Sequence, residues 1–320
     1  MIFNTAANWC SPAGQQARLS ILIFHRVLSE PDELFPGELH ASRFDEVLSW
    51  LGQWFNVLPL DEATSRLQSG TLPRRAASIT FDDGYRDNVT VALPILQRRG
   101  LSATFFVATS FLDGGRMWND SVIESIRLTS LRSLNLGAVG WGAHSLETVK
   151  ARRLAIDTLL GHIKYLEPSD RIEAVEKVRE ACDSKLPNDL MMTSDQVVAL
   201  RNAGMQVGAH TCTHPILSRL SDEQAWREVV DSKARLETLL QEPVTLFAYP
   251  NGKPTQDYFA KHAELVRQAG FTAAFSTAPG VSHNQSDLFQ LPRFTPWDRS
   301  RWRFGLRMLT NMRQLSCVTA

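Results

Sequence analysis

Short apolar runs alternate with amphipathic stretches along most of this chain, and no other feature restricts the fold as strongly. Leu19–Phe24 (LSILIF), Ala76–Phe81 (AASITF) and the segments 102–107, 205–209, 244–248 and 272–275 are each too uniformly apolar for a strand with one wet face. The stretches between them carry helical signals. Phe44, Val47, Leu48 and Leu51 recur on one face of 44–55, and 87–99 ends at Gly100, a favourable C-cap. Thr193-x-x-Gln196 is a capping box opening a helix that stops at Gly204. Ser221-x-x-Gln224 opens a longer one with Trp226, Val229, Val230, Leu236 and Leu240 on its apolar side. A further helix spans about 257–269. Strand and helix alternating this often predict an α/β fold with a parallel sheet, open or closed into a barrel.

The stretch 113–190 breaks the rhythm. It is mostly helical, with Ile172, Val175 and Val178 at helical spacing and no convincing strand, and is expected as an insertion or lid on a single domain spanning 1–320. A chain of 320 residues that is 43% hydrophobic can bury a sizeable core. Lys plus Arg and Asp plus Glu are 34 each, so no global field recruits nucleic acid. Four cysteines (Cys10, Cys182, Cys212, Cys317) lie far apart without a C-x-x-C pair, against a disulfide framework or a cysteine zinc ribbon. The N-terminus lacks the basic start and apolar run of a signal peptide, and no stretch is long enough to span a membrane, so a cytoplasmic protein is expected.

Three segments at strand ends carry the chemistry, since that is where parallel α/β folds bind ligands. In Thr80-Phe81-Asp82-Asp83-Gly84, two adjacent carboxylates at a turn face different ways and so need separate jobs; solvated acids in an Asp-Gly turn are the alternative. In His210-Thr211-Cys212-Thr213-His214, two histidines at i and i+4 can converge on one metal ion, unless they are unrelated surface residues; Cys212 between them reads as packing. In Phe247-Ala248-Tyr249-Pro250-Asn251-Gly252, a strand runs into a turn that can present a backbone N–H to a substrate oxygen. One Asp and two His make a metal site with open positions, as catalysis requires, and leave the spare Asp as a general base.

The combination and order of these motifs resemble the polysaccharide deacetylase family (NodB-homology domain, carbohydrate esterase family 4), over the strands from about 19 to 293 apart from the helical middle. The resemblance implies a distorted parallel (β/α) barrel with Asp82 as catalytic base, Asp83, His210 and His214 as metal ligands, and the Tyr249 N–H as an oxyanion donor. It implies a divalent metal, zinc by default, and hydrolysis of N-acetyl, less often O-acetyl, groups on an amino-sugar glycan. The expected setting is bacterial surface or exopolysaccharide synthesis at the inner face of the membrane, on a glycan that is lipid-linked or free. The chain departs from the pattern in two places. The third motif lacks the Arg that orients the base, a role open to Arg293 in Leu291-Pro292-Arg293 unless it is a surface arginine or an ion pair of small worth, and the late histidine acid has no clear match, the one histidine nearby, His283, reading as a solvated loop residue. The rival readings are a C–N hydrolase of a small amide or imide and a glycan-binding module without catalysis.

Other residues are open to two readings each. His25 ends the first strand, as a cleft residue or a structural histidine. Trp118 can stack on a sugar, or pack beside Asp120 acting as an N-cap. His144 and Trp141 support nothing specific. From Arg293 onward there are six arginines against one carboxylate, Asp298. This basic tail, about 297–320, is expected either at an anionic membrane surface, gripping an acidic glycan, or as a solvated helix interrupted by Gly305.

Overall fold

A computed structural model describes residues 2–296, 298–314 and 318–320 of the chain. Its centre is a curled parallel sheet whose strands fall on the apolar runs. β1 (Leu19–Phe24) and β3 (Ala76–Phe81) fill the expected ranges, while β4 (Thr104–Val107), β7 (Gln206–Ala209), β8 (Leu246–Ala248) and β9 (Ala273–Phe275) begin one or two residues late. Their order is β1-β3-β4-β7-β8-β9, parallel throughout. A short strand β2 (Asn56–Val57) joins the start of β3 on the edge that β4 takes at its end. The half-barrel is closed by 291–294, which bridges Phe275 of β9 through Leu291 and Leu22 of β1 through Phe294. This is the distorted (β/α) barrel that the motifs implied.

Alternation along each strand sorts side chains to two sides of this wall. Leu19, Ile21, Ala76, Phe106, Leu246 and Phe275 meet inside, stoppered by Leu60, Ala63 and Leu67 of α3 (Leu60–Ser69). The other parity packs outward against α2 (Ala41–Trp54), α4 (Leu93–Arg99), α8 (Ser194–Asn202), α9 (Asp222–Leu240) and α10 (Ala260–Gln268). Register partners Phe24, Phe81 and Phe105 stack across β1, β3 and β4 at 5.4 and 4.8 Å, directly below the strand ends that carry the site. Truncating a buried Phe of this kind costs about 3–5 kcal/mol, so the ladder is a firm footing for what stands on it.

Both capping boxes form as read. The stretch 87–99 differs: it starts with a π-helical turn at Asn88–Ala92 before α4. Pro94 has no N–H to donate to Thr90, and the Leu93 N–H bonds Asn88 O instead, one residue farther back than in an α-helix.

Between β4 and α8 the chain leaves the barrel. It forms α5 (Trp118–Leu128), an antiparallel hairpin of β5 (Ser133–Asn135) and β6 (Ala143–Ser145), α6 (Val149–Ile163) and α7 (Pro168–Cys182). These enclose a separate small core that includes Val122, Ile126, Leu134, Ile156, Leu159 and Val178. The hairpin corrects the expectation that this stretch holds no strand. With three residues per strand, and Leu134 the one buried among them, there is too little alternation to register. Trp141 and His144 belong to this hairpin. Ile172 is 71% exposed, against its expected place on the inner face of α7, which instead holds Arg171, Ala174, Val178 and Cys182.

At the C-terminus, α11 (Arg301–Arg313) packs on α1 (Ile2–Cys10), with Phe304 against Trp50 and Trp54 at 5.8 and 6.2 Å. Gly305 does not interrupt this helix; it lies buried within it. Trp297 and 315–317 of the expected basic tail, Cys317 among them, lie outside the described residues. Among the described residues no helix is long and apolar enough to cross a membrane.

Candidate metal centre and its cleft

The parity of β3 decides where the two carboxylates go. Thr80 faces the barrel interior, and Asp82, two residues on, faces it too. There it meets Arg293 from the closing segment: Nη1 donates to Oδ1 at 2.6 Å and Nη2 to Oδ2 at 2.7 Å. Arg293 is held in turn by Ser276 O at 3.0 Å and Thr80 Oγ1 at 3.3 Å, above the Phe106 ring. Both partners are 1–2% exposed. Burial alone would raise the Asp82 pKa, but the Arg293 guanidinium and His210 outweigh it and hold the carboxyl below its ordinary range.

Immediately after Asp82 the backbone turns left-handed, with Asp83 at φ 77° and Gly84 at φ 91°. This puts Asp83 beside the loop after β7, its Oδ1 3.5 Å from His210 Nε2 and 3.4 Å from His214 Nε2. His210 Nδ1 donates to Ala248 O at 2.7 Å, which leaves Nε2 with its lone pair toward Asp83. His214 reaches the same point because Thr211 and His214 adopt positive φ and the His214 N–H bonds Thr211 Oγ1. Glu228 of α9 clamps this loop, accepting from the Cys212 and Thr213 amides, both at 2.8 Å, and from Thr213 Oγ1 at 2.6 Å.

These three side chains fit a metal ion. One ligand atom from each lies within 4.8 Å of the others. Asp83 Oδ1, the atom between the two histidine Nε2 atoms, is buried without a hydrogen-bond partner among the described residues. Ligands about 2.1 Å from a tetrahedral ion stand about 3.4 Å apart, close to the separations found here. Burial, helped by His210, lowers the His214 pKa to about 4, so its ring is neutral and a competent donor near pH 7. Burial would raise Asp83, yet His210 and His214 hold it far below the usual carboxylate range. Burial would likewise lower His210, and Asp82 and Asp83 more than offset it.

The Tyr249 role does not survive the geometry, and neither does His283 as a candidate for the unassigned acid. The Tyr249 N–H donates to Phe275 O at 3.0 Å, continuing the β8–β9 pairing, so it is spent; the side chain is buried against Tyr258 with its hydroxyl on Phe289 O. Two residues on, Asn251 lines the cleft at φ 58°, and its N–H has no acceptor among the described residues. Pro250 has no N–H, so Asn251 carries the first amide past the strand left free, a reading available from the Tyr-Pro-Asn order. His283 follows Ser282, which pairs with Leu19 at the start of β1. That end of the barrel is about 16 Å from the site at ~3.3 Å per residue, too far for a proton donor.

The cleft over Asp82, Asp83, His210 and His214 has a volume of about 380 Å³ and adjoins a second of about 500 Å³, with His25, Asp83 and Asn119 common to both. His25 is exposed there; its carbonyl accepts from Asn88 Nδ2 at 2.9 Å, but its ring has no hydrogen-bond partner among the described residues, so the imidazole is not a satisfied structural one. Trp118 lines the first cavity. Asp120 is not an N-cap: it lies in the first turn of α5, buried, accepting from Tyr85 Oη at 3.2 Å, and burial raises its pKa to about 7. Asn251 lies in the Pro-Asn-Gly turn that the sequence marks as able to present an N–H, although the resemblance put that role on Tyr249. Glu228 gives no sequence signal, because its hold on the His214 loop is a tertiary contact.

A family model described as polysaccharide deacetylase matches residues 69–158 and 169–274, more than half of the chain. YxkH of Bacillus subtilis strain 168 is 21% identical over 279 residues, covering 87% of this chain and 71% of its own. A poly-beta-1,6-N-acetyl-D-glucosamine N-deacetylase of Staphylococcus epidermidis is 20% identical over 230 residues, 68% of this chain and 76% of that one. Among solved structures, the Streptococcus pyogenes deacetylase PplD in complex with acetate superposes with a TM-score of 0.61 at 18% identity, over 92% of this chain and 98% of that one. IcaB from Ammonifex degensii gives 0.58 at 18%, over 93% and 98%. Both share the fold.

Proposed function

The chain belongs to the polysaccharide deacetylase family, and on that premise we propose that it is a metal-dependent hydrolase removing N-acetyl groups from an amino-sugar poly- or oligosaccharide. The observation that carries this is the pairing of two functions at one strand end: a carboxylate fixed by Arg293, and beside it a carboxylate between two histidine nitrogens. The N-deacetylase relative supports an acetamido substrate.

A divalent ion held by Asp83, His210 and His214, zinc by default for this donor set, supplies Lewis-acid polarisation of the acetyl carbonyl and lowers the pKa of water. Asp82 accepts the proton of the attacking water, and Arg293 keeps that carboxylate ionised and aimed at one place. The Asn251 N–H replaces that of Tyr249 as donor to the tetrahedral oxyanion, a contact worth about 2.7–4 kcal/mol in such sites. His25 delivers a proton to the departing amine as the C–N bond breaks, which leaves acetate and a free amino sugar.

Two adjoining cavities of about 380 and 500 Å³ suit an extended glycan better than a small amide or imide. We further propose contact with an anionic membrane surface through the outer face of α11, where Trp302 and Leu306 stand 80% and 66% exposed among arginines. The deciding experiment is metal analysis of the purified protein with acetate release from chito-oligosaccharides before and after chelation. One ion per chain and chelator-sensitive release support the reading. A folded protein that takes up no zinc, cobalt or nickel ends it.

A further inference from the structure

The insertion contributes one wall of the metal-site cleft, and that wall is positively charged without compensation. Arg171 on α7 is 9% exposed and lines the cleft, yet it makes no ion pair and no side-chain hydrogen bond among the described residues. Its guanidinium stands 5.6 Å from the Trp118 ring centroid instead. Lys164, just past α6, lines the same cavity and has the Tyr165 ring at 5.5 Å. Arg219, from the barrel side, faces that ring at 6.0 Å and again has no carboxylate partner among the described residues. The acid whose charge acts on Arg171 is Glu167, one turn back and exposed, and the two form no ion pair among the described residues.

A buried arginine left unpaired is costly, because removing its charge from water is offset only by a partner. Burial accordingly lowers the Arg171 pKa, against the weak pull of Glu167. Asp82 and Asp83 are the only carboxylates lining this cavity among the described residues; the first is committed to Arg293 and the second lies between two histidines. Adding a divalent ion there makes the cleft more positive still. Gly161 on the same wall leaves space, since a β-carbon there would have no neighbour within 4 Å. What is lacking in this cleft is an anion.

We infer that the substrate is an acidic glycan, carrying a carboxylate or phosphate on or next to the acetamido sugar, and that Arg171 and Lys164 hold this oxyanion while Trp118 offers a face to the ring. The inference rests on the deacetylase reading for its acetamido group and on the unpaired cations for its acid. Guanidinium matches either oxyanion with paired N–H bonds, so the two sources share one chemistry.

The experiment compares acetate release from three probes: a neutral chito-oligosaccharide, an oligosaccharide alternating glucuronate with N-acetylglucosamine, and an oligomer of N-acetylglucosamine 1-phosphate. One acidic probe is expected to have a KM about tenfold or more below that of the neutral one, a difference that shrinks as salt rises from about 0.05 to about 0.5 M. Whether the uronate or the phosphate probe shows it identifies the source. Arg171→Gln and the less buried Lys164→Gln should each raise KM for the acidic probe and bring the acidic-to-neutral ratio toward one, with partial rescue in Arg171→Lys. Equal use of neutral and acidic probes, or a preference that survives the double variant, overturns the inference. Calorimetric binding of the acidic probe to Asp82→Asn protein separates the two claims. Arg171-dependent binding without acetate from any probe in the wild type keeps the anion site and removes the deacetylase. Acetate release without charge preference does the reverse.

Discussion

Arg293 and Asp82, 211 residues apart in the chain, join inside the barrel by two parallel hydrogen bonds of 2.6 and 2.7 Å. The contact exists because 291–294 closes the barrel against β1, one strand from the β3 end that carries Asp82. The guanidinium on Asp82 therefore comes from the closing segment and not from the third motif, Phe247-Ala248-Tyr249-Pro250, which has no arginine.

Breaking this pair leaves a buried charge alone, so Arg293→Ala should destabilise the fold by about 3–5 kcal/mol and lower kcat by at least about a hundredfold. Arg293→Lys keeps the charge but not the fork and should fall between. Asp82→Asn should lose about 10²- to 10⁴-fold in kcat while its metal content stays at the wild-type level. Denaturant titration, turnover and metal analysis on the three proteins check this; full activity in Asp82→Asn removes it as the base.

His214→Ala and Asp83→Ala each take one of three ligands and should lower metal affinity by about a hundredfold or more, as competition with a chromophoric chelator reads out. Glu228→Gln gives a milder version. It slackens the loop that carries His214 without touching a ligand, so roughly tenfold weaker binding is expected. Unchanged affinity in Glu228→Gln would mean that the loop holds its shape unaided.

If His25 protonates the leaving amine, the need for it depends on the leaving group. His25→Asn should cost about 10²-fold or more in kcat on an N-acetyl sugar, and little on p-nitrophenyl acetate, whose phenolate departs unaided. Equal losses on both substrates would make His25 a binding residue.

Legibility followed how local each signal was. The strands carrying Asp82, His210 and Ala248 were readable because buried parallel strands are apolar on both faces, and the capping boxes because four residues suffice. The β5–β6 hairpin was not, since Leu134 alone marks it. Within the site, Asp82, Asp83, His210 and His214 stood out as strand-end motifs. Tyr249 was misassigned because strand length decides which amide is free, and the β8–β9 pairing runs one residue past β8. Glu228 reaches the His214 loop from a helix whose other residues look ordinary.

His262 gives the fold an acid-sensitive point away from the site. Its Nδ1 accepts the Phe259 N–H at 2.9 Å at the start of α10, and its Nε2 is buried without a partner among the described residues. Burial, then Lys261, lowers its pKa to about 4. The unfolded chain, with an ordinary histidine, binds the extra proton between about 6.5 and 4, so this contribution is complete above about pH 6.5 and is lost as pH falls toward 4. Urea unfolding at pH 7 and 5 should show a smaller drop in His262→Gln than in the wild type; equal drops would clear His262 of the effect.

The outer face of α11 combines what an interfacial helix needs. Trp302, Leu306 and Arg313 recur at i, i+4 and i+11, and the helix contains no carboxylate. Arg307 is paired with Asp298, and Arg301 is occupied by Gln53 and the Trp54 ring, which leaves Arg303 and Arg313 for an external anion. Each is worth about 1 kcal/mol near an anionic surface. The inner face is already closed by Phe304, Met308 and Met312, so the exposed Trp and Leu are not needed for packing. Vesicles containing phosphatidylglycerol should therefore sediment the protein and phosphatidylcholine vesicles should not, with Trp302→Ala/Leu306→Ala and Arg303→Glu/Arg313→Glu each weakening binding about tenfold or more. Sedimentation that is equal for both lipids, or unaffected by all four changes, means that this face meets something other than an anionic membrane.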